Sequence, residues 1–340
     1  MYNQLRKVII FMSRKKNLTG TAAFEKAHKL TNRFIRKKTP AVWSGYHDLE
    51  ITPAPDRIVP GCMVLEGGSF RGVYTSGVLD VLMAHGINMQ TTVGTSAGAL
   101  NGMNYVAGQI GRSAMINLGY RHDKRYFGLK SAIESHGVVG LNFILQDILG
   151  ELPFDAERFY SPERRYLATA VNCETGEAIY WEKGKCANIL KAVRASASMP
   201  LLSGMVNVDG IRCLDGGCAV KVPYQWALDQ GFQKIIVVRT RPVGYRRKPE
   251  SKRTQRLAKR VYRNFPKLAE EICTQDIQYN TACEELERLH AEGRIFMISP
   301  SEPVSVGAIE GDMEKLGELY LMGKRDAEAA MAALTDYLER

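Results

Sequence analysis

Three short stretches of the sequence hold residue types that could do nucleophilic chemistry together. The first is Gly94-Thr95-Ser96-Ala97-Gly98. It follows β-branched Thr91, Thr92 and Val93 and leads into small, apolar residues from Ala97 to Val106, so Ser96 is predicted at a strand-to-helix turn. Glycines two before and two after the serine let the backbone bend sharply; the hydroxyl is pushed out of the sheet, and the helix N-terminus faces any anion that forms. The second stretch, Gly67-Gly68-Ser69-Phe70-Arg71-Gly72, follows a short apolar strand, and consecutive N–H groups in such a turn point into one concavity suited to an oxyanion or a phosphate. In the third, Asp215-Gly216-Gly217, a strand from Ile211 ends in an aspartate held by two glycines. Gly-x-Ser-x-Gly alone is weak evidence. Strand-end loops of a parallel sheet share one edge, however, so the three stretches could converge on one carbonyl, and the chemistry would be acyl transfer.

On these residues the chain resembles the bacterial patatin-like phospholipase family, whose members carry Gly-Gly-Gly-x-Arg/Lys-Gly, Gly-x-Ser-x-Gly and Asp-Gly-Gly/Ala in that order. The similarity covers about residues 60 to 239; beyond Arg239 the chain looks, less specifically, like a bacterial subgroup with a helical C-terminal extension. The resemblance implies a three-layer α/β/α fold around a mainly parallel sheet and a catalytic dyad of Ser96 and Asp215. It further implies an oxyanion hole drawn from Gly67, Gly68, Ser69, Arg71, Gly72 and Ala97, and an elbow built on Gly94 and Gly98. The substrates would be carboxylic esters of phospholipids or lysophospholipids. Ser69 departs from the family's third glycine, which is harmless if the position offers only its N–H and costly if it needs a positive φ.

A serine nucleophile needs a base. Of the histidines at 28, 47, 85, 122, 136 and 290, only His290 follows Asp215, and its context reads as the last turn of a helix, complementing the dipole. That leaves Asp215 as the direct partner, the dyad that the family uses. A carboxylate is a weak base for a hydroxyl, so such a dyad needs partial desolvation of the aspartate and strong oxyanion stabilisation. Arg71 has two readings, a positive charge beside the glycine turn or a salt bridge to the surface or to Glu66. A reading of a different class is a lipid-surface or anionic-partner binding module that no longer turns over. No Gly-Lys-Ser/Thr and no Gly-x-Gly-x-x-Gly is present, which disfavours a phosphate cofactor; no His/Cys cluster has metal-ligand spacing, so neither cofactor nor metal is expected.

The elements that position these residues read as strand, glycine turn, helix, strand, elbow and helix from Ile58 to Gly111, with a helix from about Val73 to Ala84. A hairpin follows over Tyr166 to Trp181, then a helix Ile189 to Ala197, the Asp215 strand, a helix near Tyr224 to Gln230 and a strand Lys234 to Arg239. Strands alternating with helices indicate a parallel sheet covered on both faces. Three parts are expected: an appendage over 1–57 with a helix Thr21 to Lys37, a catalytic domain over 58–240, and a mostly helical extension over 241–340. In the last, a basic segment 241–267 carries Leu257, Val261 and Phe265 at four-residue spacing, followed by a helix Leu268 to His290, a strand Arg294 to Ile298 and one or two helices from Met313.

The net charge of +10 is concentrated. Residues 1–40 hold 11 bases against Glu25 alone, and residues 239–267 hold 12 against Glu250 alone, leaving 34 acids and 23 bases elsewhere. Both basic segments are read as solvated faces or as contacts to an anionic membrane surface. Nucleic acid is not the expected partner, because the bases lack interleaved aromatics and the rest of the chain is acidic. Seven scattered cysteines without a Cys-x-x-Cys pair, and a run Val8 to Met12 too short for a signal core, are read as a cytoplasmic protein.

Overall fold

The computed structural model describes residues 41–126 and 140–340. The helix expected over Thr21 to Lys37 and the basic segment 1–40 lie outside them. The sheet has eight strands: β1 (Val59–Leu65), β2 (Met89–Thr95), β3 (Arg165–Asn172), β4 (Ala178–Glu182), β5 (Val206–Val208), β6 (Ile211–Asp215), β7 (Ile235–Val238) and β8 (Phe296–Ile298). Their order is β8-β7-β1-β2-β3-β6-β5, with β4 also paired to β3. The pairs from β8 to β3 are parallel, and those joining β3 to β4, β3 to β6 and β5 to β6 are antiparallel.

Period-two alternation in the strands builds two cores. Along β1, Met63 and Leu65 face one helical layer while Cys62 and Val64 face the other; β7 divides Ile236 and Val238 from Ile235 and Val237 in the same way. Both faces of each strand are therefore apolar, as a sheet buried between helices requires. One layer contains α1 (Gly72–Ala84), α2 (Ala97–Val106), α3 (Arg112–Tyr120), α4 (Ile189–Ser196) and the C-terminal α8 (Met313–Glu339). The other contains α5 (Tyr224–Asp229), α6 (Lys252–Val261) and α7 (Pro266–Ala291). The architecture is the expected α/β/α arrangement with a mainly parallel sheet and a helical C-terminal region.

Helix α1 is buried on nearly every side, since it lies between the sheet and α8. A side chain on Gly77 would overlap Tyr320 O, and one on Gly323 would overlap Tyr74 O, so the two helices touch backbone to backbone. The C-terminal residues thus supply a sheet strand and part of both layers, rather than trailing from a finished domain. Within the basic segment, the buried face of α6 is Thr254 and Ala258, continued by Tyr262, while Val261 of the expected stripe is 49% exposed. The stripe at four-residue spacing was one position out of phase with the side that packs.

Candidate active site

Ser96 lies between β2 and α2 with φ 55° and ψ −119°, a backbone conformation that residues with a Cβ avoid. The flanking glycines serve a different purpose from the bending expected of them. Neither Gly94 nor Gly98 has a positive φ. A Cβ on Gly94 would stand 2.5 Å from Gly98 C and O, and one on Gly98 would overlap Leu65 O. They are glycines because β1, β2 and α2 meet there with no space for a side chain, and the serine itself carries the strain. Its N–H donates to Ser196 Oγ at 2.9 Å, and its carbonyl accepts from Leu100 N at 3.1 Å to start the helix.

Asp215 reaches the same point by a route that the sequence did not suggest. Its strand runs antiparallel to β3, so it does not end at the shared edge of the parallel strands in the way expected. Instead β3 overshoots: Thr95 is level with Thr169, β3 continues to Asn172, and β6 returns along that extension until Asp215 faces Ala170. The Ser96 hydroxyl donates to Asp215 Oδ2 at 2.7 Å. Gly217 N–H donates to Oδ1, also at 2.7 Å, so both carboxylate oxygens are held. Asp215 is 6% exposed. Burial raises its pKa above the ordinary 3.8, while the bonds from Ser96 and Gly217 and the nearby Lys221 charge oppose the rise.

Lys221 was not singled out from sequence. Burial, together with Arg247, pushes its pKa down to about 8 against the pull of Asp215, and a Cβ on Gly217 would stand 3.2 Å from its Nζ. Its backbone ties two of the motifs together: Lys221 O accepts Gly67 N–H at 2.9 Å, and the neighbouring Val220 O accepts Thr95 Oγ1 at 3.1 Å. Nothing in the spacing of a lysine six residues after an aspartate marks this.

The glycine turn lies directly over the elbow; a Cβ on Gly67 would stand 3.0 Å from Thr95 O and 3.3 Å from Ser96 Cβ. Three of the residues expected to line the oxyanion hole have their amides already bonded. Gly67 N–H is spent on Lys221 O, Arg71 N–H on Gly68 O, and Gly72 N–H bonds back to Ser69 O, so none of these three amides is available to an oxyanion. Among the described residues, the N–H groups of Gly68, Ser69 and Ala97 remain without an acceptor. Ser69 has φ 51°, which answers the question raised by the missing third glycine: the position does adopt the left-handed conformation. Ser69→Gly should therefore raise stability by up to about 1 kcal/mol, the lower end of the cost of that conformation for residues with a Cβ. Urea denaturation together with ester turnover is the check; a drop in stability would mean that the Ser69 Oγ contact to Met199 Sδ, at 3.4 Å, matters more than the strain.

Arg71 does not bridge to Glu66. The Glu66 carboxylate accepts from Tyr279 Oη at 2.8 Å and from Thr240 N–H at 2.6 Å, with Arg239 Nε at 4.0 Å. Burial, with Arg241 beside it, pushes Arg71 down to about 10, and its Nε has no hydrogen-bond partner among the described residues. His290 is also placed: its Nδ1 accepts from Met297 N at 3.2 Å beside edge strand β8, which makes it a structural residue at the end of α7. A cleft with about 550 Å³ of empty space, counted out to solvent, opens from Ser96 and is lined by Phe70, Leu100, Tyr126, Ala197, Met199 and Ala308 among others. Among the described residues no group of three or more His, Cys, Asp or Glu is placed to hold a metal ion.

Residues 63–228 match the family model described as patatin-like phospholipase. The chain carries a patatin-like phospholipase domain. This places it among lipid hydrolases in general. Residues 265–339 match a second model, described as a domain of unknown function (DUF6363). The Escherichia coli (strain K12) protein named "Uncharacterized protein YjjU" is 26% identical over 299 residues, 85% of this chain and 81% of its own. The crystal structure of VipD from Legionella pneumophila aligns with a TM-score of 0.45 and 11% identity over 84% of this chain and 70% of that one. The patatin-like match begins within β1 and ends within α5, so β7, β8 and helices α6 to α8 lie outside it. No helix among the described residues is long and apolar enough to cross a membrane.

Proposed function

We propose that the chain is a serine acyl hydrolase that cleaves carboxylic esters of phospholipids or lysophospholipids through an acyl-enzyme on Ser96. The observation that carries this reading is the 2.7 Å bond from Ser96 Oγ to a buried carboxylate whose other oxygen is fixed by Gly217. Ser96 Oγ attacks the ester carbonyl while Asp215 takes its proton, and the N–H groups of Gly68, Ser69 and Ala97 hold the oxyanion. Asp215 then returns the proton to the departing alcohol. Water attacks the acyl-enzyme by the same route, giving the fatty acid and free Ser96. A fluorophosphonate probe is expected to label Ser96 stoichiometrically in protein that also hydrolyses p-nitrophenyl esters. Lipid binding with neither labelling nor hydrolysis would leave the second reading, a binding module that does not turn over.

A membrane surface is the partner that fits this substrate. Part of the basic segment is internal, because Arg239 and Arg246 pair with Glu287, and Arg247 with Glu250. In the other part, Lys252, Arg253, Arg256, Lys259, Arg260 and Arg263 are all exposed along α6 and just beyond it. Tyr262, directly after α6, accepts Leu201 N–H at 2.8 Å, two residues from Met199 in the cleft wall, so the basic face and the cleft mouth are physically joined. Replacing Arg256, Lys259 and Arg260 together by glutamine should weaken binding to phosphatidylserine-containing vesicles by about 100-fold, from ~1 kcal/mol per base at such a surface. Co-sedimentation at low salt is the check, and binding that neither the substitution nor added salt reduces would remove α6 as the contact.

A further inference from the structure

Glu66 is the residue from which the glycine turn hangs. It follows the last residue of β1, directly before Gly67, and is 2% exposed. Its N–H donates to Val238 O at 3.1 Å, and its carbonyl lies where a side chain on Gly98 would stand, 2.9 Å from that Cβ position. Its side chain crosses to the C-terminal part of the chain. Oε1 accepts from the Tyr279 hydroxyl of α7, Oε2 accepts from Thr240 N–H, and Arg239 lies alongside. Arg239 is fully buried and donates in turn to Tyr279 Oη at 3.3 Å, Cys283 Sγ at 2.9 Å and Glu287 Oε1 at 3.4 Å. Burial first, and then Glu66, push the Tyr279 phenol well above its ordinary range, so it stays a donor.

Stability alone does not account for such a network. Taking a carboxylate and a guanidinium out of water costs several kcal/mol per ion, and apolar residues of the same volume often do as well or better. What the network adds is direction, because donors from the residues directly after β7 and from α7 meet one carboxylate in fixed geometry. The backbone of that residue runs straight into Gly68 and Ser69, whose amides are the proposed oxyanion donors. Those amides act only when they stand about 3 Å from the developing charge. A displacement of the turn would therefore be felt in the transition state, and little in the cleft, whose apolar lining comes mostly from other segments.

We propose that Tyr279 is a positioning residue for the glycine turn, acting through the Glu66 carboxylate, and that supplying it is a task of segment 265–339. The inference rests on the acyl-transfer reading above and assigns that segment a part in it. Tyr279→Phe removes one hydroxyl. The expected result is a fall in kcat on a soluble p-nitrophenyl ester of ~10- to 100-fold, the scale of a misplacement of about 1 Å, with KM unchanged. Fluorophosphonate labelling of Ser96 should slow by the same factor, since it builds charge against the same amides. Glu66→Gln, which keeps the volume but turns one acceptor into a donor, should behave alike, and the double variant should be no worse than the more severe single one. Rates are counted per serine labelled at completion, so that unfolded molecules drop out. Wild-type rates per labelled site in either single variant would overturn the proposal, as would a change confined to KM or to the labelled fraction. A wild-type protein that does not label at all would instead remove the role given to Ser96.

Discussion

Asp215→Asn is expected to lower kcat/KM for ester hydrolysis by about 10⁴-fold, the loss that follows when the buried aspartate of a serine triad is replaced by asparagine. The amide fits the space and its oxygen can still accept Gly217 N–H. Its NH₂ then faces Ser96 Oγ and donates where the carboxylate accepted, so nothing remains to take the proton. The pH profile carries the same information. Only the ionised form of Asp215 is a base, so activity is present above its folded pKa and is lost as pH falls through it. Burial raises that pKa, and the acid limb of the wild-type profile should lie above the ordinary 3.8. Residual activity of the variant should lack this limb. An acid limb at or below the ordinary value, or a variant within tenfold of wild type, would remove Asp215 as the base.

Ser96 offers a second large effect with two separable parts. Ser96→Ala and Ser96→Gly should both abolish labelling and reduce turnover by roughly 10⁶-fold, as loss of the nucleophile does in serine hydrolases. Their stabilities should differ in an unusual direction. Alanine keeps a Cβ at φ 55° and ψ −119°, where residues with a side chain pay about 1–3 kcal/mol, and glycine does not. After the larger chain entropy that glycine loses on folding, Ser96→Gly should still be the more stable of the two by ~1 kcal/mol. Denaturation midpoints decide it. Alanine equal to or above glycine would mean that the elbow is relaxed, and that the turn geometry costs this chain nothing.

What could be read from the residues, and what could not, divides by range. The elbow, the glycine turn and the Asp215 strand announce themselves locally, because glycines, β-branched runs and a stop at a polar residue leave marks within ten positions. Short apolar runs likewise gave β1 and β7, and the boundaries of α2 and α5 fall within a residue of those expected. The meeting of Ser96 with Asp215 depends on β3 running past β2 and β6 turning back along it, and no local pattern encodes that overshoot. Lys221, Tyr279 and Arg239 are invisible for the same reason: Lys221 O meets Gly67 N–H from a distant part of the chain, Arg239 meets Tyr279 across 40 positions and Tyr279 meets Glu66 across 213, and each belongs to a type that is normally solvated or simply apolar packing. Gly67 was misassigned because a run of glycines shows that amides are exposed to something, and not which of them another carbonyl has already taken.

The close approach of Gly77 to Tyr320 and of Gly323 to Tyr74 has a consequence for how the molecule is made. The helix that leads out of the glycine turn packs against a helix 240 positions further along the chain, and the outermost parallel strand, β8, is also far from it in sequence. Contacts of such long sequence separation form slowly and cannot form at all before their second half exists. The seam between α1 and α8 is therefore among the slowest contacts of the fold to close.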